Sequence, residues 1–459
     1  MRDVGHDQHD QHDQHDQHDQ ERIRLAQDER REKNWKRWGP YLSERQWGTV
    51  REDYSADGSS WHSFPHDQAR SRAYRWGEDG LLGLCDRQAR LCFAVALWNG
   101  NDPILKERLF GLTGPEGNHG EDVKELYYYV DATPTSSYLA GLYKYPMRAY
   151  PYDELVRENQ RRSAREPEYE LLDTGAFDDE RYFDVLVEYA KAAPEDILIR
   201  ITVSNRSARD ARLHVLPSLW FRNTWSWGEP SERAQRPELA SSPTGAIVAR
   251  HPELGEMRFH VHGSPVSPEL LFTENDTNVT RLYGQDAAGP FKDAVHEAVV
   301  HGRRGALSAV PRGTKVAAHY VLDVPAQKSV QIHARLRAAY ADRGDPFGED
   351  LPATFRMRRR EADAFYQQAL PAGLSAEERN VARQAHAGLL WSKQFYHYAV
   401  RDWIEGDPSS LPPPGERRQG RNHEWKHLYN RDVLSMPDKW EYPWYAAWDT
   451  AFHMIPFVR

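Results

Sequence analysis

Tyr182-Phe183-Asp184-Val185-Leu186-Val187-Glu188-Tyr189 alternates: Phe183, Val185, Val187 and Tyr189 fall on one side of an extended chain, Asp184 and Glu188 on the other. A period of two with one apolar side marks a strand that buries one face. Ile197, Ile199, Ile201 and Val203 repeat the pattern. Asn205-Arg206-Ser207-Ala208-Arg209-Asp210 then supplies turn formers, and Leu213, Val215, Leu219 and Phe221 follow. This reads as a hairpin with a polar loop.

The same period recurs at 91–98, 125–130, 137–145, 246–250, 258–262, 316–324 and 329–336. Many short strands punctuated by Gly and Pro, with few helical windows between them, predict a large antiparallel β-sandwich over residues 39–353. Upstream, residues 6–20 are five copies of His-Asp-Gln. That tract has no apolar residue to bury, and the 1–20 stretch is expected to be disordered. Residues 21–38 read as a charged helical lead-in.

The period changes near residue 354. Residues 354–374 are charge-rich and helical, and are read as a linker helix broken by Pro371-Ala372-Gly373. Ser375-Ala376-Glu377-Glu378 is a capping box, which opens a helix expected to run to about Val400. The fold class is therefore α+β and multidomain, with a third region over 375–459.

The chain has 459 residues, more than one core usually fills. Its 60 basic and 69 acidic residues give a net charge of −9, which argues against nucleic acid as a partner. No stretch approaches the roughly twenty apolar residues that span a bilayer, so no membrane is expected. There are two cysteines, too few for a disulfide scaffold, and no leader precedes the His-Asp-Gln tract, so a cytoplasmic location is expected. Aromatic residues are 12 %, with 15 Trp and 23 Tyr. Flat rings with polar edges suit sugar faces, and they equally build large aromatic cores.

Three places offer chemistry. Asp449 follows Tyr442, Trp444, Tyr445 and Trp448, rings that would desolvate it; a carboxyl kept protonated serves as a general acid. An N-cap Asp beside core aromatics explains the same string. Trp391, Gln394 and Tyr396, with Tyr398 nearby, would line a sugar pocket or pack a core. The glycine-punctuated loop Thr113–Asp122 lacks the Gly-Lys-Ser/Thr of a phosphate loop and reads as a functional loop or a plain turn. His and carboxylates are plentiful but not at ligand spacing, so no metal and no cofactor is expected.

Several strings are similar to a bacterial group of glucosidase-like proteins related to the mannosyl-oligosaccharide glucosidases of glycoside hydrolase family sixty-three. They are Trp76-Gly77-Glu78-Asp79-Gly80-Leu81-Leu82-Gly83, Lys106-Glu107-Arg108-Leu109-Phe110-Gly111-Leu112-Thr113-Gly114 and Gly117-Asn118-His119-Gly120-Glu121-Asp122-Val123-Lys124-Glu125, together with residues 91–100. The resemblance runs from about Trp38 to the last residue. It implies a β-sandwich joined by a linker to an (α/α)6 barrel, with inverting hydrolysis of α-glucosidic bonds in a carbohydrate substrate. It places the general acid at Asp449 and substrate-lining residues at Trp391, Gln394, Tyr396, Trp444, Tyr445 and Trp448.

A complete barrel of twelve helices needs about 250 residues, and the region from Ser375 to Arg459 is far shorter. The expectation is an incomplete barrel start, with the general base beyond Arg459 and no activity in this piece alone, since inversion needs two carboxyls roughly 6.5–9.5 Å apart. Two other readings stay open: a non-catalytic carbohydrate-binding or scaffolding module, and a glycoside phosphorylase in which phosphate replaces base and water.

Overall fold

Phe183, Val185, Val187 and Tyr189 turn inward, each at most 1 % exposed, and Ile197, Ile199, Ile201 and Val203 of the next strand do the same. Tyr182–Ala193 and Asp196–Asn205 are antiparallel neighbours, with Val185 opposite Val203 and Tyr189 opposite Ile199. In the computed structural model the residues described are 20–44, 65–119, 122–226, 236–406, 412–420, 422–435 and 447–458. The His-Asp-Gln tract lies outside them.

The strands form two antiparallel sheets. The nine-stranded sheet runs, edge to edge, Arg312–Gly313, Glu238–Ser241, Ile247–His251, Gly255–Val261, Ser329–Ala338, Asp196–Asn205, Tyr182–Ala193, Tyr138–Pro146 and Leu126–Ala132. The six-stranded sheet runs Trp38–Gly39, Leu84–Asp86, Leu91–Trp98, Ala211–Phe221, Lys315–Val324 and Glu269–Thr273. Inner-face residues of both, among them Phe93, Val95, Val187, Ile199, Val215, Phe259, Tyr320 and Leu336, share one core, the face-to-face packing of a sandwich.

The expected hairpin of 197–203 with 213–221 does not form. Asp196–Asn205 bonds to Tyr182–Ala193 and Ser329–Ala338, whereas Ala211–Phe221 bonds to Leu91–Trp98 and Lys315–Val324 in the other sheet. The polar segment between them crosses from sheet to sheet. Asn205 holds that corner: its Nδ2 donates to Arg209 O (2.8 Å) and Val324 O (2.9 Å), and its Oδ1 accepts from Ser207 Oγ (2.8 Å). Alternation sets which face of a strand is buried and leaves its bonding partner open.

The linker helix spans Asp350–Ala369, starting four residues earlier than expected, and lies on the outer face of the nine-stranded sheet. Leu351, Phe355 and Ala362 pack there against Tyr138, Ala140, Ala190 and Leu198. The lead-in helix, Gln20–Glu29, docks beside it through the Arg24–Glu361 ion pair. Lys191 ties this region together by donating to the carbonyls of Trp35 (2.6 Å), Trp38 (2.6 Å) and Thr135 (2.9 Å).

The capping box at Ser375 forms as expected, with Glu378 N donating to Ser375 Oγ (3.2 Å) and Ser375 N to Glu378 Oε2 (2.8 Å). The helix it opens stops at Trp391, nine residues short of the expected end. Lys393–Ala399 is a strand, paired antiparallel with Tyr429–Ser435. Gln-Phe-Tyr-His-Tyr suits a period of two as well as a helix face, and its aromatics favour the strand once a partner is present. Among the described residues the region after 375 thus holds this hairpin beside the helices Ala376–Trp391, Val400–Glu405 and Ala447–Val458. Cys85 and Cys92 face each other across adjacent strands, both free and buried. No helix among the described residues is long and apolar enough to cross a membrane.

Candidate functional site

Among the described residues, those expected to line a sugar pocket lie in different parts of the fold. Trp391 is fully buried in the sandwich core, stacked on Tyr129 (5.1 Å between centroids, 8° between planes), and its indole N–H donates to Asp131 O at 3.1 Å. Gln394 and Tyr396 lie on the hairpin, both buried. Tyr396 packs with Tyr74, Trp76, Tyr398 and Trp403. Trp444 and Tyr445 fall outside the described residues. Trp448 is 76 % exposed, its ring at the edge of Phe452.

Asp449 sits in the first turn of the helix Ala447–Val458. Its side chain is partly exposed, and Tyr442, Trp444 and Tyr445 lie outside the described residues. The helix is tied to the hairpin by Ser435 Oγ against His453 Nδ1 (2.8 Å) and by the Lys393 ammonium 5.2 Å from the centre of the Phe457 ring.

A different constellation lies on the outer face of the six-stranded sheet. There the strands present small side chains, Ala94, Ala96 and Ser218, with Trp220. Below, Tyr41, Leu42, Cys92 and Phe395 form one apolar patch; above, the helix Ala294–Val300 lays Val295 and Val299 over Leu216 and Ala317. Between the patches is a charged cavity, lined by Glu78, Asp79, Glu107, Arg108, Asn275, Lys292 and Lys315 as well as the sheet residues. The Glu78–Asp79 loop comes this close because Gly80 follows it: a Cβ there would stand 2.5 Å from Ala94 Cβ.

The charges interlock. Arg108 Nε donates to Asp79 Oδ2 (3.0 Å), which also accepts from the Tyr74 hydroxyl (3.1 Å). Asn275 Nδ2 donates to Glu78 Oε1 (3.0 Å) and Phe221 O (2.9 Å). Lys315 Nζ donates to Glu107 Oε1 (2.7 Å). Lys292 Nζ donates to Arg72 O (2.9 Å) and lies 3.6 Å from the centre of the Tyr74 ring. Three acids face three bases, so the site is formally neutral. Burial pushes the Glu78 carboxyl up, with Lys292 opposing, and burial brings Lys292 down to about 8. Burial also works against ionised Glu107, but Lys315 and Arg108 outweigh it and hold that carboxyl down to about 2. Perturbed groups in a cavity mark a candidate site.

Sequence reasoning missed this cluster. Its residues lie in strings quoted above, Trp76–Gly83 and Lys106–Gly114, yet nothing local links them to Asn275, Lys292 or Lys315.

Two groups with metal-ligand chemistry are otherwise engaged. Asp122, Glu168 and Glu170 surround the Lys124 ammonium, at 2.8 Å for Glu168 and 3.0 Å for Glu170. In the second group His296 Nδ1 accepts the Leu105 N–H (3.4 Å), so its proton rests on Nε2, and Glu297 is paired with Arg303 (2.7 Å). The Thr113–Asp122 loop opens as a 3-10 turn with its own capping box of Thr113 and Glu116, while Gly120 and Glu121 lie outside the described residues.

No protein-family model matches the chain. It is 42 % identical over 482 residues to YMR196W of Saccharomyces cerevisiae, described as an uncharacterized protein. That match takes in 95 % of this chain and 44 % of the yeast protein, so the chain spans less than half the length of that relative. Among solved structures it is similar to a putative aldose 1-epimerase from Escherichia coli, at 7 % identity and TM-score 0.21, over 46 % of this chain and 67 % of that one. A putative kojibiose phosphorylase from the human microbiome matches at 9 % identity and TM-score 0.26, over 79 % of this chain and 42 % of that one. At these values the fold rests on the strand pairing described above.

Proposed function

We propose that this chain is the sandwich-bearing part of an inverting α-glucoside hydrolase, in which Asp449 protonates the departing glycosidic oxygen and a carboxylate outside this chain activates water. The observation that carries this reading is the order of parts: a two-sheet antiparallel sandwich, a helix docked on its outer face, and then a capped helix leading to Asp449. That order matches the sandwich, linker and helical start which the family-sixty-three resemblance implies. The partial exposure of Asp449 supports it, because an acid must reach its substrate. So does the length of the yeast relative, more than half of which lies outside the match.

The test uses the protein translated with whatever coding sequence follows Arg459, incubated with α-linked glucose disaccharides while the first-formed anomer is followed by proton NMR. Release of β-glucose is expected. Asp449→Asn should lower kcat by about 100-fold or more, the usual contribution of a general acid. Undiminished activity in Asp449→Asn removes that residue from the mechanism. Turnover that needs inorganic phosphate and yields a sugar phosphate replaces the hydrolase with a phosphorylase.

A further inference from the structure

Four buried polar atoms of the sheet-face cavity have no hydrogen-bond partner of good geometry among the described residues: Glu78 Oε2, Asp79 Oδ1, Asn275 Oδ1 and Arg108 Nη1, with Trp220 standing beside the Glu78 carboxyl. Their side chains are at most 4 % exposed. Buried polar atoms left bare in this way are destabilising, so four in one cavity call for an occupant.

The set selects its chemistry by elimination. A metal cation would suit the three oxygens but would leave the Arg108 N–H bare and stand beside three positive side chains. An anion would suit Arg108 but would meet three oxygen acceptors. Three acceptors, one donor and a balanced charge fit a neutral group that both donates and accepts, which is a hydroxyl. The cavity has ≈ 340 Å³ of free space, part of it open to solvent.

We propose that this cavity binds adjacent hydroxyls of a neutral polyol or sugar: Glu78, Asp79 and Asn275 accept the hydroxyl protons, Arg108 donates to a hydroxyl oxygen, and the rest of the ligand occupies the mouth. The site needs no residue of the helix that carries Asp449, so it stands or falls apart from the hydrolase reading. Trp220 completes the wall beside the Glu78 carboxyl.

The experiment is calorimetric titration of the purified chain with D-glucose and with glycerol, beside crystals soaked in each. Saturable binding is expected, with two hydroxyl oxygens in hydrogen-bond contact with Asp79 and Arg108. Glu78→Gln, which turns the bare acceptor into a donor, should weaken binding about tenfold or more. If Glu78→Gln fails to fold, Asp79→Asn and the soaked crystals of the unaltered chain decide. Waters alone in the cavity at saturating sugar overturn the proposal. So does a calcium or potassium ion bound there, or binding that both variants leave unchanged.

Discussion

Lys106 donates to Glu125 at 2.7 Å with both side chains wholly out of water. Glu125 also accepts from Phe110 N (2.9 Å) and the Tyr143 hydroxyl (2.7 Å), and the Lys106 ammonium lies 3.9 Å from the centre of the Tyr150 ring. Removing one partner of such a pair strands the other charge in the interior. Lys106→Met should therefore cost about 3–5 kcal/mol in urea unfolding. Lys106→Met combined with Glu125→Gln should recover much of that loss, because no bare charge remains; a double variant no more stable than the single one refutes the pairing.

Glu107 sets an acid limit on stability. Its carboxyl is held down to about 2 in the fold by Lys315 and Arg108 despite burial, against an ordinary value near 4.5 when unfolded. Between those values the unfolded chain binds a proton that the folded one does not. The contribution is thus fully present above about 4.5 and is lost as pH falls through 2. Urea midpoints measured from pH 6 to pH 3 should fall more steeply for the natural chain than for Glu107→Gln, the two curves converging in acid. Parallel curves contradict the assignment.

Gly80 lets the Glu78–Asp79 loop touch the sheet. Gly80→Ala should destabilise by about 1–3 kcal/mol, since its methyl group overlaps Ala94 and crowds Trp220. Ala94→Gly in the same chain should restore part of the loss, which thermal unfolding of the natural chain and the two variants would read directly.

Trp391 separates core from sugar binding. Trp391→Ala should cost about 3–5 kcal/mol by opening a void beside Tyr129, while Trp391→Phe, which keeps a ring on Tyr129 but loses the bond to Asp131 O, should cost less. Neither substitution is expected to change sugar affinity measured well below the unfolding temperature. A large affinity loss in stable Trp391→Phe would restore it as a lining residue.

Much of the architecture was legible along the chain. The faces of 182–189 and 197–203, the strand at 91–98 and the cap at Ser375 follow from patterns a few residues long, and all appear where expected. Where the chain misled, two local answers were equally good. Residues 393–399 fit helix or strand, and a partner strand at 429–435 decided it. The polar run after Asn205 suits a hairpin turn or a crossover, and the bond from Asn205 to Val324 O marks the crossover. The sheet-face cavity left no local trace, because its charges lie on segments scattered from Glu78 to Lys315.

Which side of each strand is buried and where helices begin are written along the chain, since periodicity and capping depend on neighbours in sequence. Which strands bond together is settled in three dimensions, as is the meeting of Glu107 with Lys315, 208 residues away, beside Glu78, Asp79 and Asn275. Hydrogen-bond partners and buried charge pairs are chosen by proximity in space, and proximity in space exists only once both sheets have closed on their common core.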